Sequence, residues 1–98
     1  MFLHIGNGVT VRTRDIIGIF DLDTASMSPD TKRFLREAEK KDILQNAAGS
    51  ELPRSFVLSG ERRSAEEKDG SLAVRLSLIS ASGLHLRFLR SFEENEEL

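Results

Sequence analysis

The 98-residue chain contains no cysteine, no tryptophan and no tyrosine. The absence of cysteine excludes disulfide bonds, a thiolate nucleophile and zinc–thiolate sites, and it is typical of proteins from a reducing compartment. With two of the three large aromatic residue types missing and only 39% hydrophobic residues, the core of so short a chain is thin. We therefore predict that the protein associates with itself into a homo-oligomer.

Long apolar runs are also missing. The N-terminal MFLHIGNG has neither the positive region nor the apolar region of a secretory signal peptide. No apolar run approaches the ~20 residues that a transmembrane helix needs. These two features predict a cytoplasmic protein without a membrane partner.

The charge of the chain is unevenly distributed. The formal net charge is −2, which by itself argues against a nucleic-acid-binding protein. The last six residues, EENEEL, contain four glutamates and no base, and the remaining chain has 14 basic against 12 acidic residues. We therefore predict one domain over residues 1–92 with a mildly basic surface, followed by an acidic tail at 93–98.

The first 21 residues predict a β-hairpin followed by a buried strand. Asn7-Gly8 separates two short apolar runs, and this dipeptide suits the positive φ angles of a tight hairpin turn between strands at 1–5 and 9–12. The run Ile16–Asp21 has large apolar residues on both faces, which predicts a central strand. Gly18 within it would allow another backbone to approach closely.

The rest of the chain alternates between helix and strand signals. Ser28-Pro29-Asp30 predicts a helix start with a side-chain cap, and the helix runs to about Lys41 or Leu44. A connection that turns at Gly49 covers 45–53, and a solvated loop covers 60–71. Strands are predicted at 55–59 and 72–80.

Residues 82–92 fit either a strand or a helix, and we predict a helix because a Ser-Ala-Ser-Gly break precedes them. The predicted fold class is α+β. It is a small single domain with an N-terminal β-hairpin, a mixed or antiparallel sheet of about five strands, and two helices.

Candidate catalytic and metal-binding residues are few. His4 and His85 are the only histidines, and they lack the spacing of metal ligands. Asp21 and Asp23 form a D-x-D pair, but the later ligands of a calcium loop do not follow. We therefore predict no metal site, no cofactor, no small-molecule ligand and no enzymatic activity.

Two arginines at the end of the hairpin are the candidate binding residues. In an extended strand Arg12 and Arg14 point to the same face, about 7 Å apart, which is close to the spacing of successive phosphates along one DNA strand. Arg54 precedes another strand and could add to this patch. The alternative is that Arg14 and Asp15 are ordinary surface charges.

The order of several unusual segments resembles a known family. The run HIGNGVTVRTRDIIGIFDLD followed by MSPDTKRFL is similar to the N-terminal half of the RemB-like (YaaB-like) extracellular matrix regulatory proteins. The similar segments are His4–Gly6, Thr13–Asp21, Met27–Pro29, Pro53–Val57 and, less closely, Leu76–Leu84.

This resemblance implies a bacterial cytoplasmic protein with a small α+β fold. The sister branch, the RemA-like matrix regulators, implies ring-shaped homo-oligomers that bind DNA and activate biofilm-matrix operons. The sister branch's DNA-contacting arginine falls on Arg14, whereas its paired arginines fall near 50–53, where this chain has no base; Arg54 lies just beyond.

The leading hypothesis is therefore a ring-shaped, DNA-binding transcription regulator of extracellular-matrix genes that contacts phosphates through Arg12, Arg14 and Arg54. The alternative hypothesis is an oligomeric scaffold that binds other proteins and not DNA.

Overall fold

The computed structural model describes residues 1–25, 28–61 and 71–96. Its elements, in chain order, are β1 (Phe2–Gly6), β2 (Val9–Arg12), a 3₁₀ turn (Thr13–Asp15), β3 (Ile16–Asp21), α1 (Leu22–Ala25), α2 (Pro29–Lys40), β4 (Leu44–Asn46), β5 (Ser55–Glu61), β6 (Ser71–Ser77) and α3 (Ala81–Glu96).

The strands form two sheets. Strands β1 and β2 pair as an antiparallel hairpin, and the other four form a mixed sheet in the order β3-β5-β6-β4. Strand β5 is antiparallel to both neighbours, and the short β4 is parallel to β6. The predicted α+β class is confirmed, with the hairpin, a mixed sheet and two long helices. The short strand β4 was not predicted: it begins at Leu44, the later of the two predicted helix ends, and continues into the predicted connection at 45–53.

The hairpin turn has the predicted backbone. Asn7 and Gly8 both have positive φ, at 51° and 72°, as a type I′ turn requires. Beyond the turn the ladder contains a bulge between His4 and Gly6. The Asn-Gly signal was sufficient here because the turn geometry is decided by local backbone sterics.

The four-stranded sheet is covered on both faces. Because successive side chains of a strand point to opposite faces, β5 places Val57 on one side and Phe56 on the other. Val57 packs against the hairpin and α3, in a core that includes Leu3, Ile5 and Leu84. Phe56 packs against α2 in a second core. The molecule is therefore a three-layer sandwich with the sheet in the middle.

The prediction that Ile16–Asp21 is a central strand is wrong. Among the described residues, strand β3 is an edge of the sheet and pairs only with β5. Its residues Ile17 and Phe20 are 60% and 40% exposed. The apolar side chains Ile17 and Phe20 therefore belong to a surface of β3 that α2 covers only in part.

Gly18 serves a different purpose from the one predicted. A Cβ built on Gly18 would lie 2.7 Å from an edge carbon of the Phe20 ring. The neighbour that approaches Gly18 is therefore an aromatic ring and not another backbone. This position of the ring lets Phe20 stack on Phe56, with the ring centroids 4.9 Å apart.

The bounds of β5, β6 and α3 and the cap of α2 also differ from the predictions, and the strand predicted at 72–80 ends at Ser77. Strand β5 continues through Glu61 and β6 begins at Ser71, and these two residues are paired, so both ends of the predicted 60–71 loop are strand; residues 62–70 lie outside the described residues. The helix predicted at 82–92 is confirmed as α3, which continues to Glu96. Ser28 has the extended backbone of an N-cap, but its side chain makes no capping hydrogen bond.

Candidate nucleic-acid interface

Arg12 and Arg14 lie where the hairpin leads into the sheet. Arg12 is the last residue of β2, and Arg14 is the middle residue of the 3₁₀ turn. The premise that both lie in one extended strand is therefore wrong, because the chain turns after Arg12. Both side chains are nevertheless exposed and only two residues apart.

The turn that carries Arg14 is anchored by its neighbour Thr13. The Thr13 side chain is buried, and its backbone N–H donates to the carbonyl oxygen of Met1 at 3.1 Å. Within residues 1–25, 28–61 and 71–96, neither Arg12 nor Arg14 forms an ion pair, and Asp15 does not pair with Arg14. The structure thus presents two guanidinium groups to solvent from a fixed backbone.

Arg54 lies at the opposite end of the same strands. Since β5 runs antiparallel to β3, Ser55 pairs with Asp21, whereas Ser59 pairs with Ile16. The five steps along β3 separate these ends by about 16 Å. The structure therefore brings Arg12 and Arg14 together but does not place Arg54 beside them in one chain.

The backbone around Arg54 is well fixed. The Arg54 N–H donates to the Ser77 carbonyl oxygen at 2.8 Å, and the Arg54 carbonyl accepts from the Leu22 N–H at 3.1 Å. The loop before Arg54 is tied to the hairpin turn, because Asn7 Nδ2 donates to the Ala47 carbonyl oxygen at 2.8 Å. Arg54 is thus a separate cationic position, at the other end of β3 and β5 from Arg14.

A basic ridge on α2 was missed as a candidate site by the sequence reasoning. Lys32, Arg33, Arg36 and Lys40 are all exposed, and at 3.6 residues per turn they fall within roughly 100° of arc. Acids alternate with these bases along the helix, at Asp30, Glu37 and Glu39, which is the pattern of an ordinary solvated helix face. The observed pairs are two weak, exposed i,i+3 contacts: Arg33 to Asp30 at 4.0 Å and Lys40 to Glu37 at 3.9 Å.

The most enclosed cation among the described residues, Arg75, is fully occupied within the sheet. Its guanidinium donates to both carboxylate oxygens of Glu61, at 2.6 and 3.1 Å, and its Nε donates to Gln45 Oε1 at 2.8 Å. Ser59 Oγ accepts a further bond at 3.3 Å. This network joins β4, β5 and β6 and leaves Arg75 unsuited to hold an external anion.

Of the residues that were considered as metal ligands, Asp21 has a carboxylate that is hydrogen-bonded within the chain. Asp21 Oδ1 accepts from the Asp23 N–H at 2.9 Å, at the start of α1. The contact of His4 is made by its backbone carbonyl, which accepts from Arg87 on α3 at 3.2 Å. In the part of the chain that the structure describes, no three His, Asp or Glu residues cluster as metal ligands do. No described helix is long and apolar enough to cross a membrane.

No family model matches the chain, but its similarity to a named relative places it in a family. Extracellular matrix regulatory protein B of Bacillus subtilis (strain 168) is 39% identical to it over 59 residues, which cover 60% of this chain and 68% of the relative. The chain belongs to the RemB-like extracellular matrix regulatory proteins. The RemB-like assignment agrees with the resemblance carried by the sequence from the hairpin to α2.

Proposed function

We propose that this RemB-like protein is a cytoplasmic transcription regulator of extracellular-matrix genes, which binds DNA phosphates as a ring-shaped homo-oligomer. The name of its Bacillus subtilis relative describes a regulator of the extracellular matrix. The observation that carries the DNA part is the pair Arg12 and Arg14, which is exposed, fixed by the backbone and without ion pairs within the described ranges.

A fixed pair of arginines is a good partner for phosphates. A guanidinium group presents several N–H donors in a planar fork that matches phosphate oxygens. Because buried Thr13 holds the turn, binding by Arg14 costs little backbone conformational freedom, and the entropy that is lost is mainly that of its exposed side chain. Each phosphate contact also releases counterions from the duplex, which favours binding at low salt.

Two arginines in one subunit give only weak binding, so the proposal depends on repetition. A ring presents the same pair once per subunit, and linked contacts add strongly because each later contact is intramolecular. The proposal rests on phosphate contacts by Arg12 and Arg14 and assigns no helix, the basic α2 included, to the recognition of base edges. We therefore expect DNA shape and curvature to matter more than base sequence.

Self-association is supported by apolar side chains that a single chain leaves in water. Ile17, Phe20 and Leu72 are exposed beside α2, and Leu86 and Leu89 are exposed on α3. Such clusters on a small protein are typical of interaction surfaces. Strand β3 is also an edge of the described sheet, and open edges favour pairing with a further chain.

The test is the salt dependence of duplex binding by the wild type and by Arg14→Ala. We expect Arg14→Ala to weaken binding, and to lower the slope of log K against log salt by about 0.9 for each phosphate that the protein no longer binds. Arg12→Ala should act in the same direction, and Arg54→Ala should act independently because of its distant position. Lys41→Ala, an exposed cation just after α2, is the matched control.

The alternative is a scaffold that oligomerises and binds other proteins without binding DNA. The net charge of −2 and the absence of any base from residues 50–53 favour it. If the wild type shows no salt-sensitive binding to any duplex, or if Arg14→Ala binds as the wild type does, the scaffold replaces the DNA-binding regulator.

A further inference from the structure

The outer face of the hairpin carries an aromatic side chain next to a cation. Leu3, Ile5 and Val11 point into the core and are buried, so the alternate residues of both strands face solvent. Phe2 and Arg12 are paired directly across the two strands, which places their Cβ atoms about 5 Å apart on the same face. Both residues are exposed, Phe2 to 57%. The hairpin therefore presents a ring and a guanidinium group to solvent side by side.

Phe2 differs from the other phenylalanines in having no aromatic neighbour. Each of the other five has the centroid of another ring within 6.4 Å. Among the described residues, which include all six phenylalanines, Phe2 alone lacks such a contact and is also the most exposed. Its ring is therefore accessible to a flat group from outside the chain.

Two cations near this ring come from the hairpin and from the turn that follows it. The hairpin carries one charged side chain, Arg12, and Arg14 lies in the 3₁₀ turn. Asp15 follows directly but, within the described ranges, forms an ion pair with neither arginine. Phe2 thus lies beside one guanidinium group and near a second, and no described carboxylate contacts either of them.

A third cation reaches the hairpin from α3. Arg87 Nη1 donates to the His4 carbonyl oxygen at 3.2 Å, and His4 is two residues from Phe2 on the same outer face. The first acid of α3, Glu93, follows six residues after Arg87, which is about 9 Å along the helix axis. The surroundings of the Phe2 ring therefore suit a ligand that combines a flat apolar group with negative charge.

We propose that the outer face of the hairpin binds a nucleobase, which stacks on the Phe2 ring beside phosphates that Arg12 and Arg14 hold. Aromatic rings next to cations are the usual means by which proteins bind single-stranded nucleic acid. A base within an intact duplex is stacked between its neighbours, so the ligand is DNA with an unpaired base or with a base step that the protein opens. This inference rests on the proposed function, because it adds a contact to the same DNA-binding site.

Stacking agrees with a protein that reads little base sequence. Every base has a flat face, so an aromatic side chain accepts any of them, whereas hydrogen bonds to base edges discriminate between bases. The outer face of the hairpin thus adds affinity for accessible bases and leaves the choice of sequence to the shape and deformability of the DNA.

Probes that differ only in their bases test this contact. An oligothymidylate and an abasic oligonucleotide of equal length carry the same phosphates. We expect Phe2→Ala to lower the affinity for oligothymidylate by about 5-fold to 150-fold, the loss of one stacked base, and to leave the affinity for the abasic strand unchanged. Phe2→Leu should behave in the same way, because it keeps an apolar side chain without the ring. Leu52→Ala, at a position that is 89% exposed, is the matched control and should change neither affinity.

Two duplexes distinguish the sources of an accessible base. A duplex with a central bubble of unpaired thymines offers bases that are already unstacked, and an intact duplex of equal length does not. If Phe2→Ala weakens binding to the bubble and not to the intact duplex, the ligand is an unpaired base. If it weakens binding to both equally, the Phe2 ring enters a base step that the protein opens.

The absence of tryptophan and tyrosine gives a second measurement that does not depend on a loss of affinity. Phe2→Trp introduces a single indole at the proposed contact and should keep the circular dichroism spectrum of the wild type, since Phe2 is exposed. Oligothymidylate should quench the indole fluorescence, and the abasic strand should not. Leu52→Trp is the control and should keep its fluorescence with both strands.

Several results would overturn the stacking contact and leave the proposed function standing. These are an unchanged affinity of Phe2→Ala for oligothymidylate, an equal loss of affinity for the thymine and abasic strands, and an unquenched indole in Phe2→Trp that binds oligothymidylate. Conversely, a salt slope that Arg14→Ala leaves unchanged would contradict the phosphate contact of the proposed function, even if Phe2→Ala showed its selective loss. A wild type that binds none of the probes would contradict both.

Discussion

A single buried serine joins the hairpin that carries Arg12 to the four-stranded sheet. Ser77 Oγ donates to the Ile5 carbonyl oxygen at 2.7 Å and accepts from the Ile79 N–H at 3.0 Å. The Ser77 side chain is completely buried, and Ile5 lies at the bulge of the hairpin ladder. Ser77→Ala removes both bonds and leaves a buried carbonyl without this donor.

The destabilisation expected for Ser77→Ala follows from the burial of the Ile5 carbonyl and the Ile79 N–H, which both lose a hydrogen-bond partner. A buried polar group without its partner destabilises the fold by about 1–3 kcal/mol. The Ile79 N–H is only partly buried, so leaving it unpaired adds less than leaving the carbonyl unpaired. We expect Ser77→Ala to lower the free energy of unfolding by about 2 kcal/mol, which corresponds to a melting temperature lower by roughly 8–16 °C for a domain of this size.

Urea unfolding of the two proteins measures this difference. Both must be at the same protein concentration, because association adds to apparent stability. Ser50→Ala, at an exposed serine in the β4–β5 connection, is the control and should stay within about 0.5 kcal/mol of the wild type. A change for Ser77→Ala as small as that of the control would refute the reasoning and show that the two hydrogen bonds of Ser77 add little to the stability of the fold.

Three further changes test other parts of the structure. Glu61→Gln removes the charge that Arg75 contacts at 2.6 Å and should destabilise the fold by about 1–2 kcal/mol; an unchanged urea midpoint would contradict a stabilising ion pair. Gly18→Ala places a Cβ 2.7 Å from the Phe20 ring and should cost about 1 kcal/mol because the ring can no longer stack on Phe56; a stability equal to wild type would show that the ring moves freely. Replacement of 62–70 by Asn-Gly should preserve the circular dichroism spectrum, because the flanking strands are already paired in antiparallel register; insoluble protein would show that the replaced residues are needed for folding.

The elements that were predicted correctly are those with local signals. The Asn7-Gly8 turn and Pro29 at the first position of α2 each determine the backbone through their own sterics. Strand β4 has no such signal, since its three residues include only one apolar side chain and form a strand by pairing with β6. Its existence depends on residues about 30 positions further along the chain.

The candidate site was likewise predictable only where its residues are close together in the sequence. The sequence indicates that Arg12 and Arg14 are close together, since they are two residues apart. The position of Arg54 depends on the antiparallel pairing of β5 with β3, which no local pattern reveals. Apolar residues on both faces of β3 likewise cannot show whether a neighbouring strand, a helix or a second copy covers them.

The most direct test of the central claim is the salt dependence of duplex DNA binding by the wild-type assembly, with its mass determined in the same buffer. The account predicts a particle of several subunits, with a log K that falls linearly as log salt rises and a slope that Arg14→Ala reduces. A particle that binds no duplex at low salt, or a slope that Arg14→Ala leaves unchanged, would contradict the account.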